Sequence, residues 1–362
     1  MTGPCNRREW MGRIALGTGA ALAGLGGGQR PCRAGSAEVD GERLARETWD
    51  FIVRCRRADG GYAPSPDPQY AGESDTKFSD LAAVTYAAVL ARTTGRELPQ
   101  PGRSVAFLRR HQRPDGRFVN LAGEHDPDSD LAILYNTTQG VVALRALGER
   151  PEVDPTPVVE RLLAGDAYRK LPWYTTSFFP LLYAALGKPF PEEPRRKLAR
   201  HMEANQADDG YLGDHVAAAF HMAHFYRLIG EPTPNADRMV ARVLRDQKPD
   251  GGWDIKEPDW DVHAGFDAVF ILCQLGGDDP KVRGANAGGA GWAMRCRNAD
   301  GGFGHFPGRH SDMDAVYFQL GTLIMAGRVP GARLDLPDAH TLGWGHAMQP
   351  GREYRNAPLD RT

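Results

Sequence analysis

"RNADGGFGHFPGRHSDMDAV", residues 297–316, sets a glycine turn and an aromatic residue, Asp300-Gly301-Gly302-Phe303, just ahead of an acidic cluster, Asp312-Met313-Asp314. The turn recurs. It stands as "RCRRADGGY" at Asp59 to Tyr62, "RHQRPDGRF" at Asp115 to Phe118, "ANQADDGYL" at Asp209 to Tyr211 and "RDQKPDGGW" at Asp250 to Trp253. The aspartates fall 56, 94, 41 and 50 residues apart. The longest gap spans two periods, and "LLAGDAYRKLPWYTTSFF" around Gly165-Asp166-Ala167-Tyr168 fills the missing place. The chain is therefore six copies of one unit.

Each unit has the same grammar. A charge-rich amphipathic helix comes first, as in "NADRMVARVLRDQ", where Met239, Val240, Val243 and Leu244 make one apolar stripe. The glycine turn follows, then a loop, then a helix apolar almost all round, such as "FDAVFILCQLG" or "DAVYFQLGTLIMAG". A helix apolar on every side must be buried on every side. Six such helices inside and six amphipathic ones outside predict an all-α (α/α)6 toroid or barrel of helix-hairpin repeats. Asp-Gly-Gly is expected to stop the outer helix, with Gly in the left-handed conformation, and the aromatic residue to pack between outer helices.

The ends read differently. Arg7-Arg8 ahead of a weakly apolar Gly/Ala-rich run, with small residues Ala34-Gly35-Ser36-Ala37 beyond it, predict a twin-arginine-type export signal over residues 1–37 and a periplasmic or secreted mature chain. The toroid then covers 38–328. A Pro/Gly-rich tail with His340, Trp344 and His346 occupies 329–362 and is expected to strap one face of the barrel. No transmembrane segment is expected in the mature chain.

Composition narrows the partners. The whole chain carries 44 basic and 46 acidic residues, and removing residues 1–37 leaves 39 against 45, a balance that argues against nucleic acid. Of five cysteines, Cys55, Cys273 and Cys296 lie beyond the signal. Cys55 and Cys296 hold equivalent places in the first and sixth units. Neighbouring helices stand ~8–10 Å apart, beyond the ~7 Å Cα limit for a disulfide, so free thiols are predicted.

The sixfold repeat of helix, Gln/Arg-x-x-Asp-Gly-Gly-aromatic, helix resembles the prenyltransferase and squalene-cyclase repeat superfamily, the terpenoid cyclase-like α/α toroids, over residues 40–328. Two family signatures bear on chemistry. The zinc site of protein prenyltransferase β subunits uses an Asp-x-Cys pair and a later His. Here the surrounding frame of Gly301, Gly302, Phe303, Pro307, Gly308, Arg309 and Asp312 matches, but Ala315 holds the His position and "DWDVHAGFDAVFILC" has no Asp-x-Cys. That ligand set is absent, so no metal residue is assigned; zinc would need a different set, such as His263, Asp267 and His215.

The second signature is the Asp-x-Asp-Asp acid of squalene-hopene-type cyclases, matched at its first three positions by Asp312-Met313-Asp314 and departing at Ala315. The resemblance implies Asp314 as proton donor to an isoprenoid double bond, with Asp312 helping to keep it protonated by like-charge coupling.

Every inner helix also begins with a capping type: Ser79-Asp80, Ser129-Asp130, Thr175-Thr176, Asp214, Asp261 and Ser311-Asp312. Capping alone accounts for Asp312. Since alternate helices point the same way, all six starts meet at one mouth, gathering Asp80, Asp130, His215, His263, Asp267, Asp312 and Asp314, with loop residues Lys77, His125, Lys256, His305, Arg309 and His310. Phe178, Phe220, Phe266 and Tyr317 are expected to line the lumen below. The expected substrate-binding set is His263, Asp267, His215, Asp130, Arg309, Tyr317 and Phe266.

Three readings stay open. One is an exported terpenoid cyclase-like or prenyltransferase-like enzyme acting on an isoprenoid or other apolar substrate, small molecule or lipid. The second is a non-catalytic toroid that binds a ligand or serves as a scaffold. The third is an α/α-barrel carbohydrate-active enzyme with Trp173, Trp260 and Trp344 as sugar platforms. A deep apolar lumen favours the first two, and a shallow groove of Trp, Arg and Asp the third.

Overall fold

The computed structural model describes residues 41–213, 215–254 and 263–332. The twin-arginine segment, the tail from 333 with His340, Trp344 and His346, and Asp214, Lys256, Trp260 and Asp261 lie outside the described residues. Thirteen α-helices, α1 to α13, run in chain order, and no strand is present among the described residues.

Six helices form the outer set: α1 (Gly41–Arg54), α4 (Pro101–His111), α6 (Thr156–Leu163), α8 (Glu192–Glu203), α10 (Ala236–Asp246) and α12 (Pro280–Arg295). The inner set is α3 (Asp80–Thr94), α5 (Asp130–Ala146), α7 (Phe178–Ala185), α9 (Val216–Ile229), α11 (Ala264–Leu275) and α13 (Met313–Met325). A single turn of helix, α2 (Asp75–Phe78), precedes α3. Each inner helix packs on the next, and α13 packs back on α3, so the ring is closed. Burial follows the sequence pattern: α9 buries nearly every residue, whereas α10 buries only Met239, Val240 and Val243.

The glycine turn differs from the expected helix stop. The outer helices end at Arg54, His111, Asp246 and Arg295, before the turn begins. The turn is instead the tip of a small hairpin, bridged at Arg56 to Tyr62, Gln112 to Phe118, Gln206 to Leu212 and Arg297 to Phe303. Its aspartate accepts the amide two residues on, as Asp300 does from Gly302 at 3.0 Å, and the next glycine takes a positive φ, 87° at Gly301. The physical reason is docking. A Cβ on Gly301 would lie 2.4 Å from the Glu47 carbonyl oxygen of α1, and one on Gly60 would lie 2.2 Å from that of Arg103 in α4. The tips at Gly60, Gly210 and Gly251 therefore abut the backbone of the following outer helix, that at Gly116 the residues just before it, and the last abuts the first.

Ion pairing reinforces that closure, with Arg297 on Glu47 and Arg54 donating to the Asp300 carbonyl at 2.6 Å. The aromatic residues of the turns, Tyr62, Phe118, Tyr211, Trp253 and Phe303, are buried as expected, and Tyr168 is buried in the degenerate third copy. Cys55, Cys273 and Cys296 are free thiols. No helix among the described residues is long and apolar enough to cross a membrane.

Candidate active site at the barrel lumen

The starts of the inner helices set the site. Ser79 accepts from the Leu81 amide and Ser129 from that of Ala132, both at 3.2 Å. His215 caps α9 through Nδ1, and Asp312 caps α13 by accepting the Asp314 amide at 2.7 Å. Two expected caps differ. Ser311 turns back to Asp300 at 2.8 Å. Thr175 and Thr176 donate instead to the carbonyls of Pro172 and Trp173, because the chain makes a 3-10 turn there before α7 begins.

All six inner helices, with Asp75 of α2 and His125 from a loop, line one cavity whose empty volume is about 1040 Å³, its open mouth included. Its wall is aromatic: Tyr86 stacks on Tyr317 at 4.4 Å, and His263 stacks on Phe318 at 3.6 Å. Of the expected lumen residues, Phe178, Phe220, Phe266 and Tyr317 all lie on this wall.

Asp314 stands behind it. The side chain is fully buried, its Oδ2 lies 2.9 Å from His263 Nε2 and 3.4 Å from His305 Nε2, and it is not part of the cavity wall. The hydroxyls of Tyr86 and Ser74 lie near it, while Oδ1 has no hydrogen bond of full geometry. Burial above all, then the charges of Asp75 and Glu73, raise its pKa well above the usual carboxylate range. The Asp312 carboxyl is likewise pushed up, by burial and by Asp314. It is fixed in place by Thr76 at 2.9 Å and by the Glu73 amide at 3.1 Å. Asp312 and Asp314 thus act on each other, and Asp75 adds its own charge to the raising of Asp314.

The remaining expected residues separate. Asp267 is buried on the cavity wall beside His263. His215 is buried as a helix cap and does not reach the cavity. Asp130 is exposed at the first residue of α5, and Arg309 is exposed on its loop, where its charge opposes the burial-raised pKa of Glu73. Asp80 is tied to His111 Nε2 at 3.0 Å.

The structure brings in Asp75, which the sequence reading passed over. It lies on the cavity wall and accepts a hydrogen bond from the Tyr86 hydroxyl. Its four-residue helix has no repeat partner and no periodicity, so no sequence signal placed it here.

His263, Asp267 and His215 do not converge as a ligand set. The group that does, among the described residues, is His263, His305 and Asp314, all buried, with one ligand atom from each within 4.8 Å of the others. Two imidazoles and a carboxylate are donors that zinc accepts, so this set fits the ion even though the Asp-x-Cys set is missing.

Comparison with known proteins agrees with this architecture. The sequence model of the prenyltransferase alpha-alpha toroid domain matches residues 35–160 and 173–352. A search of curated protein sequences finds no match. Among solved structures, the chain is similar to the apo type II terpene cyclase MstE from Scytonema, at 16% identity and a TM-score of 0.52, over 80% of this chain and 98% of that one. It is also similar to Candida albicans protein geranylgeranyltransferase-I complexed with GGPP, at 12% identity and a TM-score of 0.51, over 78% and 91%. At these identities the likeness carries the fold alone, whereas the domain match spans most of the sequence. The chain belongs to the prenyltransferase alpha-alpha toroid family.

Proposed function

We propose that the protein is a terpenoid cyclase-like enzyme that protonates a carbon–carbon double bond of an isoprenoid or other apolar substrate held in the lumen. The observation that carries this reading is a buried carboxylic acid, Asp314, with its pKa raised, directly behind an aromatic cavity wall. An acid that keeps its proton at neutral pH has one available to deliver to an alkene. Aromatic faces then stabilise the cation that forms, as they do other cations. His263 and His305 stabilise the carboxylate left behind. Since Asp314 is screened from the lumen, the proton leaves through the cavity-wall groups beside it, Tyr86 and His263.

The concave, largely apolar and aromatic lumen favours this reading over a carbohydrate site, which needs a shallow polar platform. A twin-arginine signal would place the enzyme outside the cytoplasm, where the substrate is a hydrocarbon or lipid and not a cytoplasmic diphosphate. The test is incubation of purified protein with geranylgeraniol or squalene in D₂O. Cyclic product carrying deuterium, lost in Asp314→Asn, supports the proposal. A non-catalytic binding toroid is the outcome if both probes bind and neither is converted.

A second reading rests on the convergence of His263, His305 and Asp314. Zinc there would supply Lewis acidity or activate a bound nucleophile, as in a prenyltransferase-like enzyme. Elemental analysis of protein purified from its own host separates the two readings.

A further inference from the structure

Three consecutive hydroxyl residues, Thr175, Thr176 and Ser177, lead into α7. The two threonines turn back onto local carbonyls, and Ser177 reaches instead to the neighbouring helix α9. Its Oγ lies 2.7 Å from Nδ1 of His221, and both residues lie on the cavity wall. Ser177 is the N-cap of α7 but makes no capping bond with its side chain. A serine cap typically contributes ~1 kcal/mol to its helix, so the hydroxyl forgoes that role for the imidazole. The His221 ring is held edge-on between Phe178, 5.4 Å away, and Phe220, 4.7 Å away.

We propose that Ser177 and His221 are a nucleophile and general base for acyl transfer from an apolar ester, a site separate from the acid at Asp314. The pair joins α7 to α9, whereas the acid cluster belongs to α11, α13 and the loops beside them. Nucleophilic catalysis by serine needs a base within hydrogen-bond reach, and 2.7 Å meets that condition. The helix start adds a second element. The first-turn amides of α7, those of Phe178 and Phe179, precede the carbonyls of their own helix, and its positive dipole end adjoins Ser177.

The step balances. His221 Nδ1 takes the Ser177 proton as Oγ bonds to the ester carbonyl carbon, then gives that proton to the departing alkoxide, leaving an acyl-serine and a free alcohol. Water completes the cycle: His221 takes one proton from it, hydroxide attacks the acyl-serine, and Ser177 leaves with the proton from His221 as the free acid is released. The apolar wall selects an ester with a long hydrocarbon acyl or alcohol part.

The test uses the full chain with a long-alkyl fluorophosphonate and with p-nitrophenyl octanoate, reading adducts by peptide mass spectrometry. Ser177 is expected to be labelled, and His221→Gln to slow labelling by ~100-fold or more, the usual contribution of a general base. Ser177→Cys, treated with an apolar maleimide, reports whether reagents reach the position. A cysteine that reacts while the native serine stays unlabelled overturns the proposal. A cysteine that no reagent reaches overturns it equally, because an inaccessible serine cannot transfer an acyl group. Labelling requires no alkene chemistry, so this site and the proposed cyclisation succeed or fail separately.

Discussion

His263 Nε2 lies 2.9 Å from Asp314 Oδ2, and the same imidazole stacks on Phe318 at 3.6 Å. One ring therefore links a buried carboxyl to an apolar cavity wall. The stacking fixes the ring, and the ring fixes the acid. A carboxyl without that bond would be a buried polar group with little to orient it.

Replacing Asp314 separates catalysis from stability. Asp314→Asn keeps the shape and removes the proton, so alkene protonation is expected to fall by ~100-fold or more. Folding should not suffer. A raised folded pKa means that the native carboxyl contributes fully below the ordinary aspartate range and loses that contribution as pH climbs toward its folded pKa. The variant removes that decline. Relative to the wild type, the denaturant midpoint of the variant should gain at pH 8 against pH 5, whatever slope the rest of the protein contributes; no such relative gain would contradict the reading.

Sequence made the ring legible and the site only partly so. Five copies of a turn and one degenerate copy at near-regular spacing point to a toroid, because six all-apolar helices must be buried together. Asp312 and Asp314 were visible by motif, and Phe220, Phe266 and Tyr317 by their place on inner helices. Asp75 and the convergence of His305 on Asp314 were not visible, since both depend on how non-repeating loops fold over the mouth. Asp130 differs from its counterparts. It occupies the same helix-start position as other mouth residues, yet it is exposed, because equivalent position in a repeat does not specify equivalent surroundings.

Two buried histidines make stability fall in acid. Burial lowers the pKa of His125 to about 4 and, with the nearby Arg227 charge, that of His224 to about 3. Both stay neutral in the fold while the unfolded chain takes up protons below its ordinary value near ~6.5. Stability is therefore complete above that value and is lost as pH falls through it, a sign opposite to that of Asp314. His125→Phe retains a ring against Phe78, its stacking partner at 5.3 Å, and should flatten the loss between pH 7 and pH 5. Urea titrations at the two pH values measure it.

Metal and proton compete for Asp314. Zinc bound by His263, His305 and Asp314 would require an ionised carboxylate, so added Zn²⁺ should raise Tm by mass action while suppressing alkene protonation. His305→Ala removes one ligand and should abolish the rise in Tm. Thermal denaturation with Zn²⁺ and again after EDTA distinguishes this from non-specific binding, in which the variant would respond as the wild type does.

Ring closure provides the last test. Gly301 combines a φ of 87° with a position where a Cβ would lie 2.4 Å from the Glu47 carbonyl oxygen. Alanine there is strained in its own backbone and also pushes the last unit away from α1. Each effect costs on the order of 1–3 kcal/mol, so Gly301→Ala should lower Tm markedly. Gly284 is the control: it lies in α12 with nothing within 4 Å of the added Cβ, and alanine there should stabilise by roughly 0.5–1 kcal/mol through helix propensity. Equal behaviour of the two variants would mean that the ring does not depend on contact between its first and last units. A large loss confined to Gly301→Ala would show the toroid to be cooperative around its whole circumference, with the mouth that holds Asp314 dependent on that closure.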